Sequence, residues 1–327
     1  MKRLGVLTSG GDAPGTNACI RAVVRAALSS GYEVVGIRRG YAGLMDGEFE
    51  VLDGRFVGGI AHHGGTILKT ARTERFKTEE GQKQALDNLE KHRIDVLVVL
   101  GGDGSLTGAL RLHEAGFPVM GAPATIDNDV AFTDMAMGVD TAMNTALRAI
   151  DKIKDTASSH RRAFLVETMG RDSGYLALMV GMASAAEAIV IPEVPSTCEG
   201  ILTSIKQAHQ KGKAHFIAVI AEGADPDCRT LDEYLRERQD ELGFGVRVSI
   251  LGYIQRGGAP TAFDRLLGTR LGAAAVSQLA KGETGKMVGL IGSKIVATDL
   301  AEVVSTKRQV DLDLYNLAQM LETYPTT

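Results

Sequence analysis

The sequence predicts an α/β protein built on mostly parallel sheets, and three observations carry that prediction. Short, uniformly apolar runs recur along the chain, without the alternation expected of half-exposed strands. Segments of helical character lie between them. Two of the runs lead into the same Gly-Gly-Asp triplet, at residues 10–12 and 101–103, which places glycines and a carboxylate at the edge where open α/β sheets bind ligands.

Taken in order, Leu4–Leu7 reads as the first strand and Asn17–Ser30 as the first crossover helix, stopped by Gly31. Val34–Ile37 is the next strand, Glu79–His92 a second helix and Val96–Leu100 a fully apolar strand. Gly138–Asp155 reads as a long Ala-rich helix with Ile150 and Ile153 on its inner face. Strands at Ala163–Val166, Ala188–Ile191 and Phe216–Ile220 follow, with a helix at Thr197–Lys211 ended by Gly212. A last helix covers Asp264–Lys281 and ends at Gly282. No Ser/Pro linker or solenoid repeat divides the chain. The polar, strand-poor segment Asp127–Asp134 suggests a break near Gly138.

Composition bounds the function. The 327 residues carry 36 Lys and Arg against 40 Asp and Glu, a net charge of -4, which supplies no cationic field for nucleic acid or a membrane surface. A hydrophobic fraction of 44% suits a large core, in two domains or one large one. Three cysteines, none in a CxxC pair, read as small buried hydrophobes of a reducing compartment. The N-terminal apolar run is too short for a secretory signal, and later apolar stretches break well before ~20 residues, so the expectation is a cytoplasmic protein.

Three groups of residues suit chemistry. In Gly101-Gly102-Asp103-Gly104-Ser105, consecutive glycines leave amides unobstructed, and a following helix would offer its N-terminus to a phosphate. Asp103 would then hold Mg²⁺ on phosphate oxygens, although a plain turn with Asp103 or Ser105 as cap fits the same residues. A P-loop is absent: around Gly285-Lys286, Ala280 replaces the first Gly and Met287 the metal-binding hydroxyl. The second group is Thr125-Ile126-Asp127-Asn128-Asp129, where one carboxylate could accept a proton and the other hold metal or water; an Asx-rich loop reads equally well. The third is cationic. Arg72, Arg162, Arg171, Arg247 and Arg256 stand at predicted strand ends or polar breaks, several beside glycines, as oxyanion clamps do, with Arg161 and Arg162 read as a polar break. Glu222, beside Gly223 at a strand end, suits a sugar hydroxyl or a cap.

Together these segments resemble the short bacterial type of the ATP-dependent 6-phosphofructokinase family over essentially the whole chain. The resemblance rests on Gly10-Gly11-Asp12-Ala13-Pro14-Gly15-x-Asn17, Gly101–Ser105 and Thr125–Asp129. Met169-Gly170-Arg171, Pro192-Glu193 and Gln255-Arg256-Gly257-Gly258 complete the set. It implies two Rossmann-like three-layer lobes: a larger nucleotide-binding lobe at 1–138 and 252–304, and a smaller sugar-phosphate lobe at 139–251 and 305–327. The implied reaction is phosphoryl transfer from Mg-ATP to the 1-hydroxyl of fructose 6-phosphate, a step of glycolysis. A pyrophosphate-dependent relative and a non-catalytic sugar-phosphate or nucleotide sensor are the alternatives.

By the same resemblance Asp127 is the base, tolerable because a loose transition state needs the proton removed late. Gly11 and Arg72 meet the moving phosphoryl group, with Thr125 and Arg171 supporting the site. The nucleotide falls on Gly11, Tyr41, Arg72, Gly102, Asp103, Gly104, Ser105 and Gly108, and Mg²⁺ on Asp103 with Asp129. Thr125, Asp127, Asp129, Met169, Gly170, Arg171, Glu222, Tyr253 and Arg256 fall at the sugar phosphate, with Arg162 and Arg247 reaching in from a neighbour of a homotetramer. An effector site for ADP or phosphoenolpyruvate is implied at Arg21, Arg25, Lys154, Glu187, Lys211, Lys213 and His215. Pyrophosphate users tend to carry Asp and Lys where this chain has Gly104 and Ala124, which favours ATP. Two departures stand out. Tyr253 replaces a usual His, and Thr73 a common aromatic.

Overall fold

The computed structural model describes residues 2–322. The chain forms two compact units, Met1–Thr141 with Arg256–Arg308, and Ala142–Gln255 with Gln309–Thr327. Residues 323–327, which the sequence reading assigned to the smaller lobe, lie outside the described residues.

The first unit opens with β1 (Arg3–Thr8), α1 (Thr16–Ser29), β2 (Glu33–Ile37), α2 (Gly40–Asp46) and β3 (Phe49–Leu52). It continues through α3 (Glu79–Lys91), β4 (Val96–Gly101), α4 (Asp103–Glu114) and β5 (Val119–Pro123) to the start of α5 (Val139–His160). The second unit holds the rest of α5, then β6 (Arg162–Thr168), α6 (Tyr175–Ala183), β7 (Ala188–Val190) and α7 (Cys198–Gln210). It proceeds through β8 (Phe216–Ala221), α8 (Cys228–Arg236), α9 (Gln239–Leu242) and β9 (Gly245–Ile250). The chain then returns to the first unit with α10 (Ala262–Ala280), β10 (Lys286–Ile291), β11 (Lys294–Asp299) and α11 (Leu300–Ser305), while α12 (Leu312–Glu322) belongs to the second.

The first unit's sheet has the order β11-β10-β5-β4-β1-β2-β3, parallel except at its two antiparallel edges. The apolar runs of β1 and β4 are buried because helices cover both faces. Leu4, Val6, Val98 and Leu100 pack with Val23 of α1 and Leu271 of α10. Leu7, Leu97 and Val99 pack the other way, with Leu44 of α2, Leu106 of α4 and Leu300 of α11. α1 and α10 approach closely through glycine: a Cβ on Gly268 would meet the Gly15 carbonyl oxygen at 2.7 Å, and one on Gly272 that of Cys19 at 2.6 Å. From β1 the chain moves to β2 on one side, and β4 later takes the other side. The sheet therefore reverses its winding between β1 and β4, the crevice where α/β sheets bind ligands.

The second unit's sheet, β7-β8-β6-β9, is parallel throughout. Two expectations are corrected here. Arg162 does not lie in a polar break but begins β6, in register with Gly245. The long helix runs past Asp155 to His160, and within its last turns the Ser158 and Ser159 hydroxyls donate back to the carbonyls of Lys154 and Asp155 at 2.9 Å each rather than ending it as caps. Among the described residues no helix is long and apolar enough to cross a membrane.

Candidate active site

In the first unit the loops after β1, β4 and β5 meet at the carboxyl edge of the sheet. Gly101 is required there, since a Cβ would meet Ser105 Oγ at 2.5 Å and the Ser9 carbonyl oxygen at 2.6 Å. A Cβ on Gly102 would lie 3.3 Å from that of Thr125, so the two carboxylate-bearing motifs adjoin. α4 starts directly after Gly102 with no side-chain cap, which leaves its first amides to a ligand and rules out Asp103 or Ser105 as the cap. Asp103 and Gly104 are exposed, and a side chain at 104 would meet open space.

The β5 loop turns sharply. Asn128 takes a left-handed φ of 50°, its Oδ1 accepts from Ala136 N at 3.0 Å, and its Nδ2 donates to the Asp134 carbonyl. The two acids differ in burial: Asp127 is buried, at 2% exposure, and Asp129 is half-buried. Thr125 Oγ1 accepts from the Asp127 amide at 3.2 Å, which leaves its own proton to donate elsewhere.

Gly11 lies under Arg256, whose Nη1 would be 1.8 Å from a Cβ there. Asn17, buried on α1, clamps the segment that precedes Arg72. Its amide reaches the carbonyls of His63 and Gly64, and its Oδ1 accepts from Ile67 N at 2.9 Å. Arg72 is exposed, and among the described residues it pairs with no carboxylate. Tyr41 and Gly108, assigned to the nucleotide from resemblance, face each other in the packed interior. Gly108 leaves room for the Tyr41 ring, which stacks on Phe76 at 4.0 Å, and the hydroxyl donates to the Ser105 carbonyl.

One residue that holds this edge together was not among the sequence candidates. Asp264 is fully buried on α10 and accepts from Gly138 N at 2.9 Å and from Thr141 N at 2.8 Å, with the Thr141 hydroxyl as a third donor. Burial raises its pKa, and the Thr141 and Gly138 hydrogen bonds pull it back. Its own N–H is capped by Thr261, so Thr261-x-x-Asp264 is a capping spacing visible in the sequence.

In the second unit Met169, Gly170, Arg171 and Glu222 come together at the carboxyl ends of β6 and β8. Glu222 Oε1 accepts from the amides of Gly170 at 3.2 Å and Arg171 at 2.7 Å, holding the loop and leaving Oε2 for a ligand. Close by, burial raises the pKa of Glu167, reinforced by Glu222 and Asp227. A raised carboxyl pKa favours the protonated folded state, so this contribution to stability is complete below the ordinary Glu range and fades as pH rises through the raised value. Glu167→Gln is expected to melt higher than the parent at pH 7 and to match it near pH 4; an equal Tm difference at both would refute this.

Arg162 and Arg247 are not in that cluster. Arg162 begins β6, whose residues after Thr168 carry the cluster, so it lies about 20 Å away at ~3.3 Å per residue. Arg247, in register with Phe164, stands on the same face near that far end. Tyr253, in a short turn, is 82% exposed.

Of the effector residues in this unit, Lys154 donates to the carbonyls of Ser184 and Ala185, and Lys213 pairs with Glu187 at 3.2 Å and Glu322 at 2.9 Å. Burial works to lower the Lys213 pKa, but Glu322 and Glu187 leave it raised. Lys211, Lys213 and Glu187 line a cavity of about 110 Å³. His215 Nδ1 meets Ser158 Oγ at 2.8 Å. In the first unit Arg21 is half-buried on α1, and Arg25 donates to the Gly54 carbonyl. The cysteines are free, and burial pushes the Cys228 thiol up to about 12.

Comparison with known proteins finds relatives over nearly the whole chain. A family model described as Phosphofructokinase matches residues 3–279. An ATP-dependent 6-phosphofructokinase of Thermotoga neapolitana is 53% identical over 322 residues, covering 98% of this chain and 100% of its own. One from Halalkalibacterium halodurans is 51% identical over 321 residues, covering 98% and 99%. Among solved structures, phosphofructokinase from Saccharomyces cerevisiae aligns with a TM-score of 0.86 at 35% identity, covering 98% of this chain and 48% of the yeast chain, so this chain spans about half of it. A pyrophosphate-dependent phosphofructokinase from Marinobacter aquaeolei, 23% identical with a TM-score of 0.82, shares the fold.

Proposed function

The chain belongs to the phosphofructokinase family, and from that premise we propose a residue-level account of the reaction it catalyses, transfer of the terminal phosphoryl group of ATP to the 1-hydroxyl of fructose 6-phosphate. The observation that supports the account best is the meeting of the β1, β4 and β5 loops at one sheet edge, with open amides beside a buried carboxylate. Asp127 accepts the proton of the attacking hydroxyl. The Thr125 hydroxyl, which accepts from the Asp127 amide, keeps its proton for an anion, and the Gly11 amide and Arg72 meet the phosphoryl oxygens, which carry the charge of a loose transition state. Arg171 adds a second cation.

The nucleotide takes the Gly102–Ser105 turn and the start of α4, with Tyr41 and Gly108 shaping the wall behind it. The donors fit Mg²⁺: Asp103 is an exposed carboxylate beside amides suited to phosphate, Asp129 is a second, and this cation takes one or two carboxylates together with substrate phosphates. When bound it would neutralise phosphate charge. Met169, Gly170 and Oε2 of Glu222 meet the sugar, and Arg256 and Tyr253 its phosphate.

Arg162 and Arg247 stand at the far end of the sheet that carries Glu222, so one copy cannot bring them to the same small ligand. They serve a neighbouring copy in a homotetramer, whose activity depends on assembly. Arg21, Arg25, Lys154, Glu187, Lys211, Lys213 and His215 form an effector site for ADP or phosphoenolpyruvate. The cytoplasm suits an enzyme of glycolysis.

Open space at Gly104 and the small Ala124 favour ATP as donor. Initial rates with fructose 6-phosphate are expected to be high with ATP and negligible with ADP or pyrophosphate. Gly104→Asp, which sets a carboxylate against the α-phosphate, is expected to lower kcat/KM for ATP by ~10²-fold. Equal turnover with pyrophosphate would refute the donor assignment.

A further inference from the structure

We propose that Thr70 is a positioning residue that aims the Gly11 amide at the transferring phosphoryl group and ties it to Arg72. This rests on the reading above, in which Gly11 and Arg72 meet that group. Thr70 Oγ1 donates to the Gly10 carbonyl oxygen at 2.7 Å, across 60 residues of sequence. In a trans peptide the C=O and the following N–H point in opposite directions. A hydroxyl that pins the Gly10 oxygen therefore fixes the heading of the Gly11 N–H. That N–H donates to no group among the described residues, so its direction is free to serve a ligand.

The peptide needs such a pin. Gly10, at φ 84°, and Gly11 flank it, and neither has a Cβ to resist rotation of the peptide plane. Thr70 is itself held in place. Lys69, just before it, takes a left-handed φ of 60°, rare for a side-chain-bearing residue. Its carbonyl accepts from the buried Thr8 hydroxyl at 2.8 Å, at the end of β1. Because that single proton is spent on Lys69, the Thr66 hydroxyl 3.0 Å away must donate to Thr8 Oγ1. The 66–70 turn is thus fastened to β1 and its glycine loop through Thr8 and Thr70, and Arg72 leaves it two residues later. One hydroxyl sets both the amide and the root of the cation.

The test compares Thr70→Val, which keeps the shape and removes the donor, with Thr70→Ser, which keeps it. Losing one donor aimed at developing charge lowers kcat by ~10²–10³-fold; an amide that is only part of the time misdirected costs less. Thr70→Val is expected to lower kcat by ~10–100-fold with KM for ATP and fructose 6-phosphate within about threefold, and Thr70→Ser to restore most of it. Thermal melting checks the fold, and Thr70→Ala serves if the valine variant melts early. A raised KM at parental kcat, or a serine variant as slow as valine, overturns the proposal. Arg72→Ser, assayed alongside, separates the two readings. If it is severely impaired while Thr70→Val is normal, the positioning role fails alone; if it keeps parental turnover, the phosphoryl-site reading fails.

Discussion

Asp127→Ser is expected to lower kcat by about 10³-fold while KM for fructose 6-phosphate changes by less than about fivefold, since general bases contribute ~10²–10⁴-fold in rate. The expectation follows from how the chain holds this carboxylate. Asp127 is nearly inaccessible in a turn whose shape is set by Asn128, and its amide is anchored to Thr125. Serine keeps that amide and fits the same space, so the turn survives and only the proton acceptor is lost. Steady-state kinetics with ATP and fructose 6-phosphate decide it. A variant within threefold of parental kcat would remove Asp127 from the chemistry.

The largest effect on stability is expected from Asp264→Ala. This change orphans the buried N–H groups of Gly138 and Thr141 and the Thr141 hydroxyl. At ~1–3 kcal/mol for each donor left unsatisfied, with part of the hydroxyl's loss relieved by rotation, the total is about 4 kcal/mol. The apparent Tm should fall by roughly 10 °C. Asp264→Asn is expected to fall between, because its NH₂ group must face at least one of these donors. A melting temperature within two degrees of the parent for the alanine variant would show that Asp264 does not fasten α5 to α10.

Much of this molecule was legible in its sequence, and the exceptions have physical causes. β1, β4 and β8 announced themselves because cover on both faces demands unbroken apolar runs. β9 did not, because only Val246 of its six residues is buried and the run includes Gly245, Arg247 and Ser249. β5, Val119–Pro123, ends in Gly-Ala-Pro, weak strand formers that tolerate burial only where the sheet and its helices crowd them. α4 carries Gly104 and Gly108, poor helix residues kept by needs beyond the helix: Gly108 makes way for Tyr41. The glycine-rich and acidic loops were readable as short motifs. Their meeting at one edge, the Glu222 hold on residues 170 and 171, and the Thr70 pin all join positions far apart in the chain, and no local pattern records such pairs.

The return of the chain to its first unit after residue 255 also orders events during synthesis. Translation delivers β1–β5 early, yet β10 and β11 emerge only after the whole middle segment. Until α10 leaves the ribosome, the apolar side of α1 around Cys19 and Val23 has no helix to cover it, and the Gly268 and Gly272 contacts cannot form. The unit begun first is therefore completed late. A growing chain exposes a sticky, half-built sheet for nearly its entire passage, the state in which nascent polypeptides call on chaperones.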